Sequence, residues 1–184
     1  MKKEKLLLHV CCAPCSSYVL SVLNDIYDIT LYFYNPNIEP TNEFNKRYEE
    51  LVRFVNEVYP TVNVIKDDIY NNDDFKSISI GLEDEPEKGK RCYLCYKLRL
   101  EKTALYAKDN NYDIFTTTLS VSPYKNAIWL NEIGKELGNK YNIKYLEADF
   151  KKNNGYKKSI EFSKKYNLYR QNYCGCIYSK RDTN

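Results

Sequence analysis

Seven cysteines lie in three short clusters that are widely separated along the chain. The clusters are Cys11, Cys12 and Cys15; Cys92 and Cys95; and Cys174 and Cys176. Such spacings let neighbouring thiolates converge on one metal centre, and a fold that uses all three clusters must bring distant segments together. Sulfur ligands favour zinc or iron–sulfur centres. We therefore expect the seven cysteines to act as metal ligands.

Length and composition favour one globular domain over residues 1–184, since a chain of this length can bury a sizeable core and 43% of its residues are hydrophobic. No apolar run approaches the roughly 18 residues that span a bilayer, and the LLL run at 6–8 is too short for a signal peptide. We expect a cytoplasmic protein with no membrane partner. Structural disulfides are rare in that compartment, and an odd number of cysteines cannot all pair.

Strand-like and helix-like patterns alternate along the whole chain. Strands are predicted at 5–10, 28–34, 61–65, 113–118 and 143–147, and helices at 16–24, 41–59, 91–110, 124–137 and 156–166. This alternation predicts an α/β fold with one five-stranded parallel sheet and helices on both faces. The acidic, irregular connection 66–90 is interpreted as an insertion, and the segment 167–184 carries the last cysteine pair. Thr41 is the predicted N-cap of the second helix.

The first cysteine cluster follows the first predicted strand, at the edge where doubly wound sheets bind ligands. The turn that contains it has no glycine, and Pro14 has no backbone N–H, which argues against a phosphate-binding loop. A helix N-terminus instead favours thiolates. His9 shares a strand face with Cys11, and it is either a hydrogen-bonded strand residue or a proton donor.

The other two clusters leave the identity of the metal open. Cys92 and Cys95 form a CxxC pair at a helix start, a spacing that zinc sites, redox dithiols and iron–sulfur sites share. Gly175 allows Cys174 and Cys176 to face one centre, whereas a gap of one residue strains a disulfide. A zinc site and a [4Fe–4S] cluster each need four ligands, so the surplus of cysteines indicates one cluster plus either a second metal or free thiols.

Five segments carry a resemblance to a known family: HVCCAPCS at 9–16, NPNIEPTNEFNKR at 35–47, RCYLCYKLRL at 91–100, TTTLSVSPYKN at 116–126 and LYRQNYCGCIYS at 168–179. In this order they resemble the QueH family of epoxyqueuosine reductases, and the resemblance covers nearly the whole chain. It implies a HUP fold (adenine nucleotide alpha hydrolase-like). It also implies a [4Fe–4S] cluster and an additional iron ion, which zinc can replace in aerobically purified protein.

The resemblance also implies an activity and a set of functional residues. Enzymes of this family remove the epoxide oxygen of epoxyqueuosine at the wobble position of tRNA, without cobalamin, so the implied partners are that tRNA and an unidentified electron donor. The candidates for stabilising or protonating the departing oxygen are His9, Arg91 and Lys125. The candidates for binding substrate are Asn35, Asn37, Arg47, Ser120, Ser122, Tyr124, Lys125, Arg170 and Gln171.

A basic C-terminal region could dock the anticodon loop, although a solvated charged face is an equally simple explanation. Its members are Lys157, Lys158, Lys164, Lys165, Lys180 and Arg181. Two other functions remain open: a HUP-fold tRNA thiolation enzyme that uses ATP, and a zinc-stabilised RNA-binding domain without catalysis. The absence of a glycine-rich loop argues against the first, and a colourless purified protein would favour the second.

Overall fold

The computed structural model describes residues 2–66 and 70–179. Its strands are β1 Lys5–His9, β2 Asp28–Phe33, β3 Asn63–Lys66, β4 Ile114–Thr117 and β5 Lys144–Tyr145. They form one sheet in the order β3-β2-β1-β4-β5, and every neighbouring pair is parallel. The predicted five-stranded parallel sheet is therefore confirmed. Within the described residues, no helix is long and apolar enough to cross a membrane.

Helices cover both faces of the sheet, as predicted. They are α1 Ala13–Leu23, α2 Thr41–Val58, α3 Asp73–Ser79, α4 Lys90–Asp109, α5 Ala127–Tyr141 and α6 Gly155–Lys165, with a 3₁₀ turn at Thr118–Val121. On the central strand β1, Leu6 and Leu8 join the apolar core beneath α1 and α2, whereas Leu7 joins the core beneath α4 and α5. All three leucines are fully buried, as expected for a strand whose alternating side chains meet helices on either side.

The connection 66–90 is not irregular throughout, which corrects the prediction. It contains α3, whose Phe75 is buried against Cys95 and Cys176. Few apolar residues mark this helix in the sequence, because its remaining surface is polar. The predicted continuation of the connection through 67–69 lies outside the described residues.

Three helix starts differ from the predictions because of their caps. Thr41 is the first residue of α2 rather than its N-cap, a position held by Pro40 in extended conformation. Helix α1 begins earlier than predicted because the Cys12 side chain accepts a hydrogen bond from the Cys15 amide. Helix α5 begins later because Asn126 caps it, accepting from two backbone amides of the first turn.

Candidate metal and substrate site

The first cysteine cluster forms a compact group of three sulfurs, here called the trio, at the carboxyl end of β1. The Sγ atoms of Cys11, Cys12 and Cys15 all lie within 4.8 Å of one another. Cys11 and Cys12 are buried, and Cys15 is half-buried in the first turn of α1. Hydrogen bonds from Cys12 and Cys15 hold the pKa of Cys11 well below its usual range. The trio can therefore present a thiolate and two further sulfur donors to one ion.

The remaining cysteines form a second group, here called the quartet: Cys92, Cys95, Cys174 and Cys176. The first two lie in the first turns of α4, and the last two approach them from the C-terminal segment. Cys95 and Cys176 share a small apolar cluster against which Cys174 packs. A hydrogen bond with Cys176, together with nearby Lys125, holds the pKa of Cys174 well below its usual range. Among the described residues, only the trio brings three candidate ligand atoms within 4.8 Å of one another. Cys92, Cys95 and Cys174 lie near enough for their charges to affect one another's pKa, so the quartet is the looser of the two groups.

Both groups border a single cavity of about 380 Å³ at the carboxyl edge of the sheet. The trio contributes Cys11 and Cys15 to its wall, and the quartet contributes Cys174. Gln171 connects the two sides, because it lines the cavity and lies near enough to Cys12 to oppose the rise that burial causes in the pKa of that thiol. The fold thus brings the N-terminal and C-terminal cysteines to the same place.

Arg47 fixes the C-terminal segment that carries the last cysteine pair. Its guanidinium is 1% exposed, pairs with Glu43 at 2.7 Å, and donates to the backbone carbonyls of Tyr173 and Cys174 at 3.1 Å each. Gly175 follows with φ +106°, and a Cβ there would lie 3.1 Å from Arg47 Nη1. Because of this positive φ and this close approach to Arg47, position 175 requires glycine. The contacts place Arg47 beneath the segment, not on the cavity wall.

Lys125 is a largely buried cation on the cavity wall, which it shares with Cys174 of the quartet. Its side chain is 11% exposed, lines the cavity, and lies 3.8 Å from the Glu87 carboxylate. Burial alone would lower its pKa, but the negative charges of Cys174 and its neighbours raise the pKa above its usual value. Lys125 therefore stays protonated and offers a fixed charge to a molecule in the cavity.

His9 lies beneath the trio and is fully buried. Its Nε2 atom is 3.0 Å from the Tyr34 carbonyl oxygen, and its Nδ1 atom is 2.9 Å from Thr117 Oγ1. The Tyr34 carbonyl accepts only from a protonated Nε2, whereas Arg99 Nε, 3.4 Å away, donates only to an unprotonated Nε2, so these two contacts belong to opposite tautomers of the neutral ring. Burial, reinforced by the charge of Arg99, lowers the pKa of His9 to about 3. A neutral ring with both nitrogens engaged argues against the predicted proton donor and favours a hydrogen-bonded strand residue.

Four other predicted site residues do not line the cavity. Arg91 Nη1 donates to the carbonyls of Leu82, Glu83 and Glu85, which ties the preceding loop to α4. Asn35 bridges Val10 and Arg99, and Ser120 Oγ accepts from the Phe150 amide. Asn37 is 2% exposed and does not line the cavity. Hydrogen bonds within the fold account for Arg91, Asn35 and Ser120. The structure therefore gives no support for a cavity role of these three residues or of Asn37.

Other predicted residues do line the cavity. They are Ser122, Tyr124, Lys125, Arg170 and Gln171. Tyr124 is 58% exposed at the mouth, where Lys88 Nζ lies 5.8 Å from its ring centre. Arg170 lies 5.9 Å from the ring of Tyr156, which also lines the cavity. Cations alternate with aromatic rings at this mouth, an arrangement suited to phosphates and bases.

Sequence reasoning missed Arg99, which lines the cavity although only 3% exposed. It occurs one helical turn after Cys95 on α4, so the spacing of four residues could have placed it beside the quartet. Of the predicted basic region, Lys157, Lys158, Lys164 and Lys165 are exposed on α6. Lys180 and Arg181 lie outside the described residues.

Comparison with known proteins assigns the chain to a family. The family model described as "Epoxyqueuosine reductase QueH" matches residues 6–182. The chain belongs to the QueH family. Similar proteins named epoxyqueuosine reductase QueH occur in Streptococcus pyogenes serotype M1 (43% identity over 97% of this chain and 71% of the relative) and Staphylococcus epidermidis (44%, 97% and 77%). A third from Thermotoga maritima shares 36% over 94% of this chain and 88% of the relative.

This membership confirms the family resemblance carried by the five sequence segments. The matched region includes the trio, the quartet and every residue that lines the cavity. Both groups of cysteines thus lie within the part of the chain that the family model matches.

Substituting Arg47 is expected to destabilise the protein through its C-terminal segment. Arg47→Met removes the donor to the Tyr173 and Cys174 carbonyls and leaves Glu43 with only the Tyr169 hydroxyl, which should lower the free energy of unfolding by about 3 kcal/mol. Urea unfolding of the metal-free, reduced protein measures the change. Arg53→Met on the same helix is the control, because its exposed ion pairs should cost less than about 1 kcal/mol. Equal effects of the two substitutions would contradict the assignment.

The buried neutral His9 predicts a pH dependence of stability. Its pKa is about 3 in the folded protein against a usual value of 6.5, so only the unfolded chain binds the proton between these values. Stability is therefore complete above about pH 6.5 and falls on acidification by about 1.4 kcal/mol per pH unit. His9→Gln should flatten this slope between about pH 6.5 and 5, where no other histidine exists to titrate. An unchanged slope would show that His9 is already protonated or exposed.

Proposed function

We propose that this protein is an epoxyqueuosine reductase that removes the epoxide oxygen of epoxyqueuosine in tRNA, giving queuosine without cobalamin. The observation that carries the proposal is the cavity bordered by both groups of cysteines and by buried cations. Family membership supplies the substrate class, since the relatives are named epoxyqueuosine reductase. A tRNA substrate implies a cytoplasmic reaction, and its electron donor is unidentified.

The cysteine groups fit two different metal centres. The quartet offers four sulfur donors and no nitrogen, which is the ligand set of a [4Fe–4S] cluster. The trio offers three sulfurs beside the cavity, which leaves a further position open on a single ion. We therefore assign Cys92, Cys95, Cys174 and Cys176 to the cluster and the trio to the additional iron. Zinc in the trio site would fit the same donors.

Removing an epoxide oxygen to form an alkene consumes two electrons and two protons and releases water. When bound, the cluster supplies electrons singly and the additional iron supplies Lewis acidity. The chain itself must supply positive charge. Lys125 supplies the positive charge, because its raised pKa keeps it protonated and it lies mostly buried on the cavity wall. Its fixed charge stabilises the departing oxygen, and both protons reach the cavity from solvent through its open mouth.

The cavity mouth suits a nucleotide that has left its base stack. Tyr124 and Tyr156 present rings for stacking, while Arg170 and the exposed lysines of α6 attract phosphates. Base extrusion is the general solution for enzymes that modify a nucleobase. Ser122 and Gln171 add hydrogen-bonding groups on the wall. We assign substrate binding to Ser122, Tyr124, Lys125, Arg170 and Gln171.

Anaerobic incubation of iron-loaded protein with epoxyqueuosine tRNA and a reductant tests the proposal. Mass spectrometry of the nucleosides should show conversion to queuosine. Lys125→Met should lower the rate about 100-fold, since removing one group that stabilises developing negative charge typically costs that much or more, while Lys135→Met on the exposed α5 surface should not change it.

Two results would contradict the proposal. ATP-dependent transfer of sulfur to tRNA would identify a thiolation enzyme instead. Tight tRNA binding by a zinc-loaded protein, without conversion under any reducing condition, would identify a non-catalytic RNA-binding domain.

A further inference from the structure

Arg99 carries a buried positive charge that no acidic side chain of residues 2–66 or 70–179 balances. It is 3% exposed, and its Nη2 donates to the neutral Asn35 amide oxygen at 2.5 Å. Its Nε lies 3.4 Å from His9 Nε2, on a ring that is itself neutral. In the part of the chain that the structure describes, no carboxylate forms an ion pair with Arg99. By contrast, the equally buried Arg47 is paired with Glu43.

A buried charge without a counter-charge is costly, so the surroundings of Arg99 must supply negative charge in the functional protein. The two groups of cysteines are the source. Arg99 lies on α4 one turn beyond Cys95 of the quartet, and it shares the cavity wall with Cys11 of the trio. Arg99 also shares this wall with Cys174 of the quartet. The guanidinium therefore acts on both groups.

The position of Arg99 is fixed by neutral partners. Asn35 accepts from Nη2 and donates to the Val10 carbonyl, which anchors it to the end of β1. His9 is held by Thr117 and the Tyr34 carbonyl. This arrangement orients the guanidinium without cancelling its charge, whereas a carboxylate in place of Asn35 would cancel it.

We propose that Arg99 is a positioning residue whose fixed charge stabilises the reduced, more negative form of the iron–sulfur cluster held by the quartet, and so raises its reduction potential. This inference rests on the proposed cofactor. The couple is a one-electron reduction, with the electron supplied by a reductant and retained on the cluster. Cluster potentials depend on nearby charge and hydrogen bonding in this way.

Redox titration of anaerobically reconstituted protein with dithionite, followed by electron paramagnetic resonance, tests the inference without substrate. Arg99→Gln should lower the equilibrium constant for reduction about tenfold, a shift of about 59 mV to more negative potential for one electron. Arg99→Lys should restore most of the potential, because it keeps the charge. Arg53→Gln removes an equal charge from the exposed surface and should leave the potential unchanged.

A second variant covers the case in which Arg99→Gln does not fold or load. Asn35→Asp is nearly isosteric and places a carboxylate against Nη2, so it should lower the potential as Arg99→Gln does. A fully loaded Arg99→Gln or Asn35→Asp protein with the wild-type potential would overturn the inference, as would an Arg99→Lys shift as large as that of Arg99→Gln. If wild-type protein loads no cluster at all, the proposed function fails instead.

Discussion

The carboxyl edge of the parallel sheet is the constraint on which the site depends. Each strand of such a sheet delivers the segment that follows it to the same side, and β1 therefore ends directly in the trio. The quartet arrives differently, since α4 brings one pair and the C-terminal segment brings the other. Arg47 of α2 supports the second of these routes, because it donates hydrogen bonds to the Tyr173 and Cys174 carbonyls of the C-terminal segment.

Nearby positive charge is the second requirement, because it must balance several sulfurs of like negative charge that are gathered in a small volume. Lys125 and Arg99 both meet it from the cavity wall. Lys125 has a carboxylate nearby, and the quartet raises its pKa. Arg99 hydrogen-bonds to the neutral Asn35, and its charge favours the thiolate form of Cys11 in the trio and of Cys95 in the quartet. Lys125 is thus suited to interact with a substrate oxygen whose charge changes during the reaction, and Arg99 is suited to a permanent electrostatic role.

Local patterns in the sequence were sufficient for the architecture. Alternating strands and helices predicted the sheet, and the cysteine spacings predicted which elements carry sulfur. The division into a trio and a quartet was not predictable, because it depends on how the C-terminal segment packs. The same limit explains why Arg91 and Asn35 were predicted as site residues. Both are polar residues beside motifs, but in the structure they donate hydrogen bonds to backbone carbonyls. Arg99 was missed because its partners, Asn35 and His9, come from distant strands.

The central claim is that the trio and the quartet hold different metal centres around one cavity. Iron and acid-labile sulfide analysis of anaerobically reconstituted variants tests it most directly. Wild-type protein should contain about five irons and about four sulfides per chain. Replacing Cys11 and Cys12 with serine should remove about one iron and leave the sulfide, whereas replacing Cys92 and Cys95 should remove the sulfide. Equal loss of sulfide from both variants would show a single shared centre and contradict the account.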